Sequence, residues 1–138
     1  MKIFFDTSAF VKRYVAERGS DRVFALSEQA DSLIVSIICL PEMISTLSRL
    51  VREKKLARTD YVKFKAAAIA DLADADICQL TSEVLTSTTA LLETHLLRAM
   101  DALHVACALA CQPDVFASAD HRQLAAARKA GLRIEDVS

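Results

Sequence analysis

Four carboxylates of this chain stand where an acid can do chemistry: Asp6, Glu42, Asp101 and Asp120. Asp6 follows the short apolar run Ile3-Phe4-Phe5 and precedes a helical pattern, so a helix N-cap explains it on its own. Glu42 follows Cys39-Leu40-Pro41, and Pro at a first helical position with Glu in the first turn is favourable placement against the helix dipole. Asp120 follows Val115-Phe116-Ala117 through Ser118-Ala119, and its spacing to Gln123 fits a capping box. Asp101 resists so local an account, being the only charged side chain between Ala99 and Gln112. A helix that apolar is buried nearly all round, and a lone carboxylate in it costs several kcal/mol unless it is paired, protonated or bound to a cation. Arg98, three residues earlier, is the available partner for a structural ion pair; the other reading is a metal ligand. Four converging carboxylates with few cations nearby repel one another, and a hard divalent cation resolves that repulsion. With no His or Cys in the set, all-oxygen ligation points to Mg2+ or Mn2+ rather than zinc.

The elements that must position these acids can be read from the hydrophobic pattern. Short apolar runs at 3–5, 33–38, 77–80 and 115–117, with a weaker one at 132–134, read as buried strands. Helical patterns lie between them at 9–18, 21–29, 41–54, 60–71, 82–95, 100–111 and 120–130. Strands that alternate with helices and read as continuous apolar runs imply a parallel sheet covered on both faces. The expected class is α/β, a three-layer α/β/α sandwich with a short, mostly parallel central sheet. With only two Gly, two Pro and no repeat or linker, residues 1–138 read as a single domain. Ligands of such sheets gather beyond the carboxyl ends of the strands. Asp31 and Asp114 precede their strands, so they belong to the opposite end and serve as internal controls.

Four segments carry a family likeness: Phe5-Asp6-Thr7-Ser8-Ala9-Phe10-Val11-Lys12, Pro41-Glu42 opening a helix, Leu97-Arg98-Ala99-Met100-Asp101-Ala102-Leu103-His104, and Ala117-Ser118-Ala119-Asp120. In this order and over nearly the whole chain, they resemble PIN-domain proteins, specifically the VapC-type toxins of toxin-antitoxin modules. The resemblance implies a PIN-like sandwich and a metal-dependent ribonuclease whose metal-binding acids are Asp6, Glu42, Asp101 and Asp120. It implies Ser8 and Ser118, with Thr7 beside them, as supports for the site. It also implies cleavage of single-stranded or structured RNA to leave a 5'-phosphate, inhibition by a small antitoxin protein, and self-association as a homodimer. Lys12, Arg13 and Arg98 flank the site and are candidates to hold phosphates. His104 reads as a core histidine on an apolar helix, and the stretch from Arg49 to Lys55 as a solvated helix end.

Composition narrows the partners. A formal net charge of -1 and a pI near 6.3 provide no bulk positive field, so any nucleic-acid contact is local or assisted by cations. Hydrophobic residues make up 53% and mean hydropathy is +0.27, more apolar surface than one core absorbs. Part of that excess is expected to meet a partner. The N-terminus lacks the apolar core of a signal peptide, and the longest apolar stretch, Leu33 to Leu40, is short of a membrane span, so a cytoplasmic protein without membrane contact is expected. In a reducing compartment Cys39, Cys78, Cys107 and Cys111 are expected to be thiols acting as small buried hydrophobes. Two rivals are disfavoured by missing residues. A haloacid-dehalogenase-type phosphatase needs an acid two residues after Asp6, where Ser8 stands. A receiver-like signalling module needs an acidic pair near the first strand and an Asp after the third, where the chain reads Gln79-Leu80-Thr81. A PIN-like module used only for binding is the remaining alternative, and four intact acids weigh against it.

Overall fold

Ile3, Phe4 and Phe5 are fully buried, so the strand that carries them must be covered on both faces and flanked on both edges. In the computed structural model, which describes residues 1–138, that strand is the centre of a five-stranded sheet. The strands are β1 (Lys2–Phe5), β2 (Ser32–Ser36), β3 (Asp76–Cys78), β4 (Val115–Ser118) and β5 (Ile134–Asp136). Their order is β3-β2-β1-β4-β5, and all four pairings are parallel. The register sets Phe4 against Ile34 on one side and Phe116 on the other.

Alternation along β1 sends its side chains to two different cores. Ile3 and Phe5 join Phe10, Met43 and Leu47 on the face covered by α1 (Thr7–Val11), α2 (Ser20–Gln29) and α3 (Cys39–Arg52), with α4 (Arg58–Ala73) packed against α3 and burying Ala68 in the same core. Phe4 joins Ile34, Phe116, Val105 and Leu124 on the face covered by α5 (Ser82–Thr94), α6 (Ala99–Cys111) and α7 (His121–Lys129). The Phe4 and Phe116 rings stack at 5.7 Å, and each fully buried phenylalanine contributes roughly 1.5–3 kcal/mol. This is the three-layer α/β/α sandwich, with its sheet wholly parallel.

Several boundaries depart from the sequence pattern. The pattern at 9–18 predicts one helix, but α1 stops at Val11 and the chain winds back toward Gly19. Gly19 has φ +91°, and a Cβ there would meet the Val137 carbonyl oxygen at 1.9 Å, so the C-terminal segment closes over a position only glycine can occupy. The strand predicted at 33–38 ends at Ser36, and α3 begins at Cys39, two residues ahead of Pro41. The strand predicted at 132–134 lies later, at Ile134–Asp136. The cysteine expectation is corrected: Cys78 and Cys111 form a disulfide, while Cys39 and Cys107 are free and buried. Cys78 closes β3 and Cys111 closes α6, so packing of that helix on the sheet brings together two sulfurs 33 residues apart. No helix is long and apolar enough to cross a membrane.

Candidate active site

The chain leaves β1 for β2 on one side, while β4 lies on the other, so the strand order diverges at β1 and a crevice opens beyond the strand C-termini. Four elements bring one acid each to it. Asp6 directly follows β1 and caps α1, Glu42 sits in the first turn of α3, Asp101 in the first turn of α6, and Asp120 caps α7 after β4. All four line one cleft of about 470 Å³, together with Thr7, Ser8, Lys12, Arg49, Arg98, His104 and Gln123.

Asp6 is only 1% exposed. Its carboxylate accepts from the Ala9 amide at 2.9 Å, the Ser8 hydroxyl at 2.7 Å and the Ser118 hydroxyl at 2.7 Å. The two serines also join the strand ends, Ser8 Oγ accepting from the Ala119 amide and Ser118 Oγ from the Asp120 amide, both at 2.9 Å. Burial nevertheless pushes the Asp6 carboxyl above its ordinary value, despite His104 and these hydrogen bonds favouring the charged form.

Glu42 shifts the other way. Its partial burial would raise it, but a hydrogen bond and electrostatic attraction from His104, with help from Thr7 and Arg98, hold the carboxyl below its usual range. Thr7 Oγ1 donates to Glu42 Oε1 at 2.6 Å, and His104 Nε2 contacts the same oxygen. Asp101, 6% exposed, accepts from the Gln123 amide at 3.1 Å and from the Arg98 Nε and backbone N–H at 3.4 Å each. The Arg98 side chain is 82% exposed, so this contact is a weak surface pair rather than a buried ion pair. Asp120 accepts from the Arg122 and Gln123 amides at 2.9 and 3.3 Å.

The cations divide unequally. Lys12 is buried on the cleft wall, its ammonium donating to the Arg18 carbonyl and pairing with Glu17 at 3.5 Å, so it is committed to the turn between α1 and α2. Arg13 lies away from the cleft, on Ser27 and Asp71. Arg98 and Arg49 reach the cleft and are exposed, Arg49 coming from the helix end that the sequence reads as merely solvated. His104 is the buried residue that the sequence reads, but it and Gln123 also reach cleft carboxylates, Glu42 and Asp101, contacts that sequence reasoning missed. Apolar surroundings mark His104 as core, and Gln123 reads only as the far end of a capping box.

No three His, Cys, Asp or Glu side chains stand close enough to enclose an ion by themselves. The donor set still fits a hard, hydrated cation. Magnesium keeps several waters and needs only one or two direct carboxylates, and a buried carboxyl raised by desolvation, as Asp6 is, gains from a nearby positive charge.

A parallel α/β sandwich that gathers four carboxylates beyond its strand ends defines the class of this protein. The chain belongs to the PIN domain family, whose match spans residues 3–129. It is 33% identical to Ribonuclease VapC45 and to Ribonuclease VapC49 of Mycobacterium tuberculosis, over 96% of this chain and 93% of each relative. Among solved structures it shares its fold with Mycobacterium tuberculosis VapC20, described as a sarcin-ricin loop cleaving toxin. There the TM-score is 0.71 at 18% identity, over 94% of this chain and 95% of that one. It likewise shares the fold of a chain in a toxin-antitoxin complex from Klebsiella pneumoniae, with a TM-score of 0.68 at 14% identity, over 99% of this chain and 98% of that one.

Proposed function

We propose that residues 1–138 act as one unit, a divalent-metal-dependent endoribonuclease that serves as the toxin of a toxin-antitoxin pair. The observation that carries this reading is the convergence of Asp6, Glu42, Asp101 and Asp120, from four separate elements, on one cleft. Those four acids would hold Mg2+ or Mn2+. When bound, such an ion supplies an acidified water and a counter-charge for the scissile phosphate. The chain's own residues do the rest. Ser8 and Ser118 fix Asp6, Gln123 fixes Asp101, and exposed Arg98 and Arg49 on the cleft rim are placed to hold RNA phosphates. Lys12 faces the same cleft, but its ammonium is engaged by Glu17 and serves the wall. No side-chain nucleophile is required. Family membership and relatives named as ribonucleases support RNA as the substrate.

The proposed partners are a small antitoxin and a second copy of the chain. Exposed apolar side chains support both, among them Phe24, Val62 and Ile69 on α2 and α4, and Leu85, Leu92 and Leu96 on and after α5. Light scattering at micromolar concentration is expected to give a mass above the 15.1 kDa of one chain, and a monomer removes the self-association half. The deciding experiment for the activity is cleavage of single-stranded RNA with Mg2+ or Mn2+ and with excess chelator. Full activity in chelator overturns the metal mechanism.

A further inference from the structure

The cleft holds a buried imidazole that the proposed chemistry does not use. His104 is 1% exposed and lies one helical turn after Asp101 on α6, its Nε2 against Glu42 Oε1 and 3.1 Å from Thr7 Oγ1. Facing a carboxylate, Nε2 must be the protonated nitrogen and donates. The Thr7 hydroxyl donates to the same oxygen at 2.6 Å, so two side-chain donors from different elements saturate Oε1. No protein donor reaches Oε2. His104 Nδ1 is buried without a partner, a cost that an apolar residue filling the same core position would not carry. The value of the imidazole therefore lies at its Nε2 end.

We propose that His104 is a positioning residue: with Thr7 it anchors one oxygen of Glu42 and leaves the other as the oxygen offered to a divalent cation. The proposal rests on the reading of the cleft as a cation site. Its physical content is preorganisation. A glutamate side chain is flexible and half-buried here, and fixing it before the cation arrives removes an ordering cost from binding. Gln123 holds Asp101 in a parallel way, but through one weaker amide contact at 3.1 Å.

The test is Mn2+ binding to the RNA-free protein, followed by calorimetry, for wild type, His104→Gln, His104→Leu, Thr7→Val, Glu42→Gln and the His104→Leu/Glu42→Gln double variant. Loss of such a supporting contact weakens metal affinity by about 10–100-fold, which is the expectation for His104→Leu. His104→Gln, whose amide can still donate, should recover part of that loss, and Thr7→Val should lose affinity in the same direction. In the Glu42→Gln background, His104→Leu should cost no further affinity, because its effect runs through Glu42. Wild-type Mn2+ affinity in His104→Leu, or an undiminished His104→Leu effect in the Glu42→Gln background, overturns the positioning role and leaves the cation site standing. A wild-type protein that binds no Mn2+ overturns both. Melting of each apo variant identifies any that is unfolded, and if His104→Leu is one, the His104→Gln and Thr7→Val affinities decide: unchanged affinity in both defeats the proposal.

Discussion

At the N-terminal end of the parallel sheet, Asp31 and Asp114 are exposed, and each is answered at once: Asp31 by the Met1 amino group, Asp114 by the Lys2 backbone amide. At the C-terminal end, Asp6 and Asp101 are buried and Glu42 and Asp120 half-buried, and most of their partners are neutral hydroxyls and amides. Acids of the first kind pin a strand start and need nothing more. Those of the second kind are oriented without being neutralised, so a cluster of negative charge persists in a half-enclosed cleft. Chain topology explains why the two sets separate, since in an all-parallel sheet residues that precede strands and residues that follow them can never share an end.

The largest expected contrast is in catalysis. Asp101→Asn should lower RNA cleavage by more than about 10²-fold, a loss usual for removing one electrostatic group at a reacting centre. Asp114→Asn should leave cleavage unchanged. Stability should not follow activity, because Asn preserves shape and polarity, and a rotated amide could donate to Gln123 Oε1, which is buried without a partner. Breaking the exposed Arg98 contact costs little, so apo Asp101→Asn is expected within about 1 kcal/mol of wild type. A variant several kcal/mol less stable that still cuts RNA would return Asp101 to a structural role.

A second contrast is in cation-linked stability. If the cleft binds Mg2+ only in the native state, saturating the wild type to about 100 times its Kd adds about 2.7 kcal/mol. Asp101→Asn should lose most of that gain and Asp114→Asn none of it. Equal stabilisation of all three in thermal melts would place the ion elsewhere.

Within the cleft itself, Asp6 and Glu42 should respond oppositely to pH. The folded-state carboxyl of Asp6 is raised above its ordinary 3.8, so the protonated form is favoured by folding. That contribution is fully present below the unfolded value and is lost as pH rises through the folded one, leaving ionised Asp6 destabilising at neutral pH in the apo protein. Glu42 is lowered, so its contribution is present above its unfolded value and is lost as pH falls through the folded one. Apo Asp6→Asn should therefore equal or exceed wild-type stability at pH 7, by an amount on the order of 1 kcal/mol, and the gain should vanish on acidification. Apo Glu42→Gln should be less stable at pH 7 and converge with wild type in acid. Denaturant melts between about pH 2 and 8, a range that spans the loss of a lowered carboxylate's contribution as well as a raised one's, check both signs, and parallel curves for the two variants would remove the distinction between these acids.

How much of this was legible in the sequence follows from what fixes each feature. Strand positions and the burial of Asp101 are written in local apolar patterning, and Asp6, Glu42 and Asp120 follow their strands closely enough for topology to send them to one end, whereas Asp101 reaches that end through the placement of α6. His104 and Thr7 were not legible as partners of Glu42, since the contacts span 62 and 35 residues and depend on how α6 and α1 are each placed against α3. The Cys78–Cys111 bond was missed for the same reason, because expectation followed the compartment rather than the approach of α6 to β3. The close approach of Gly19, just ahead of α2, to the Val137 carbonyl more than a hundred residues away is a tertiary constraint that no helical periodicity encodes.

The smallest expected effect lies at the opposite end and tests whether Asp114 is only structural. Its carboxylate accepts from the Lys2 amide at 2.7 Å, and its own amide donates to the Lys2 carbonyl at 2.8 Å, so the side chain extends the β1–β4 pairing by one hydrogen bond. In Asp114→Asn the amide oxygen still accepts from Lys2, and only the charge is lost. Water screens an exposed charge, so the change in stability should fall within about 0.5 kcal/mol, the usual range for surface substitutions. Asp114→Ala removes the acceptor as well, but water can reach the freed amide, so the loss should stay near the net worth of one hydrogen bond, about 0.5–1.5 kcal/mol. Neither variant should alter Mn2+ affinity, because all four acids of the site lie at the opposite end of the sheet. Calorimetry with Mn2+ on Asp114→Ala decides the matter: a weakened affinity would mean that pinning the start of β1 is felt at Asp6, four residues along the same strand, and that the two ends of the sheet are not independent.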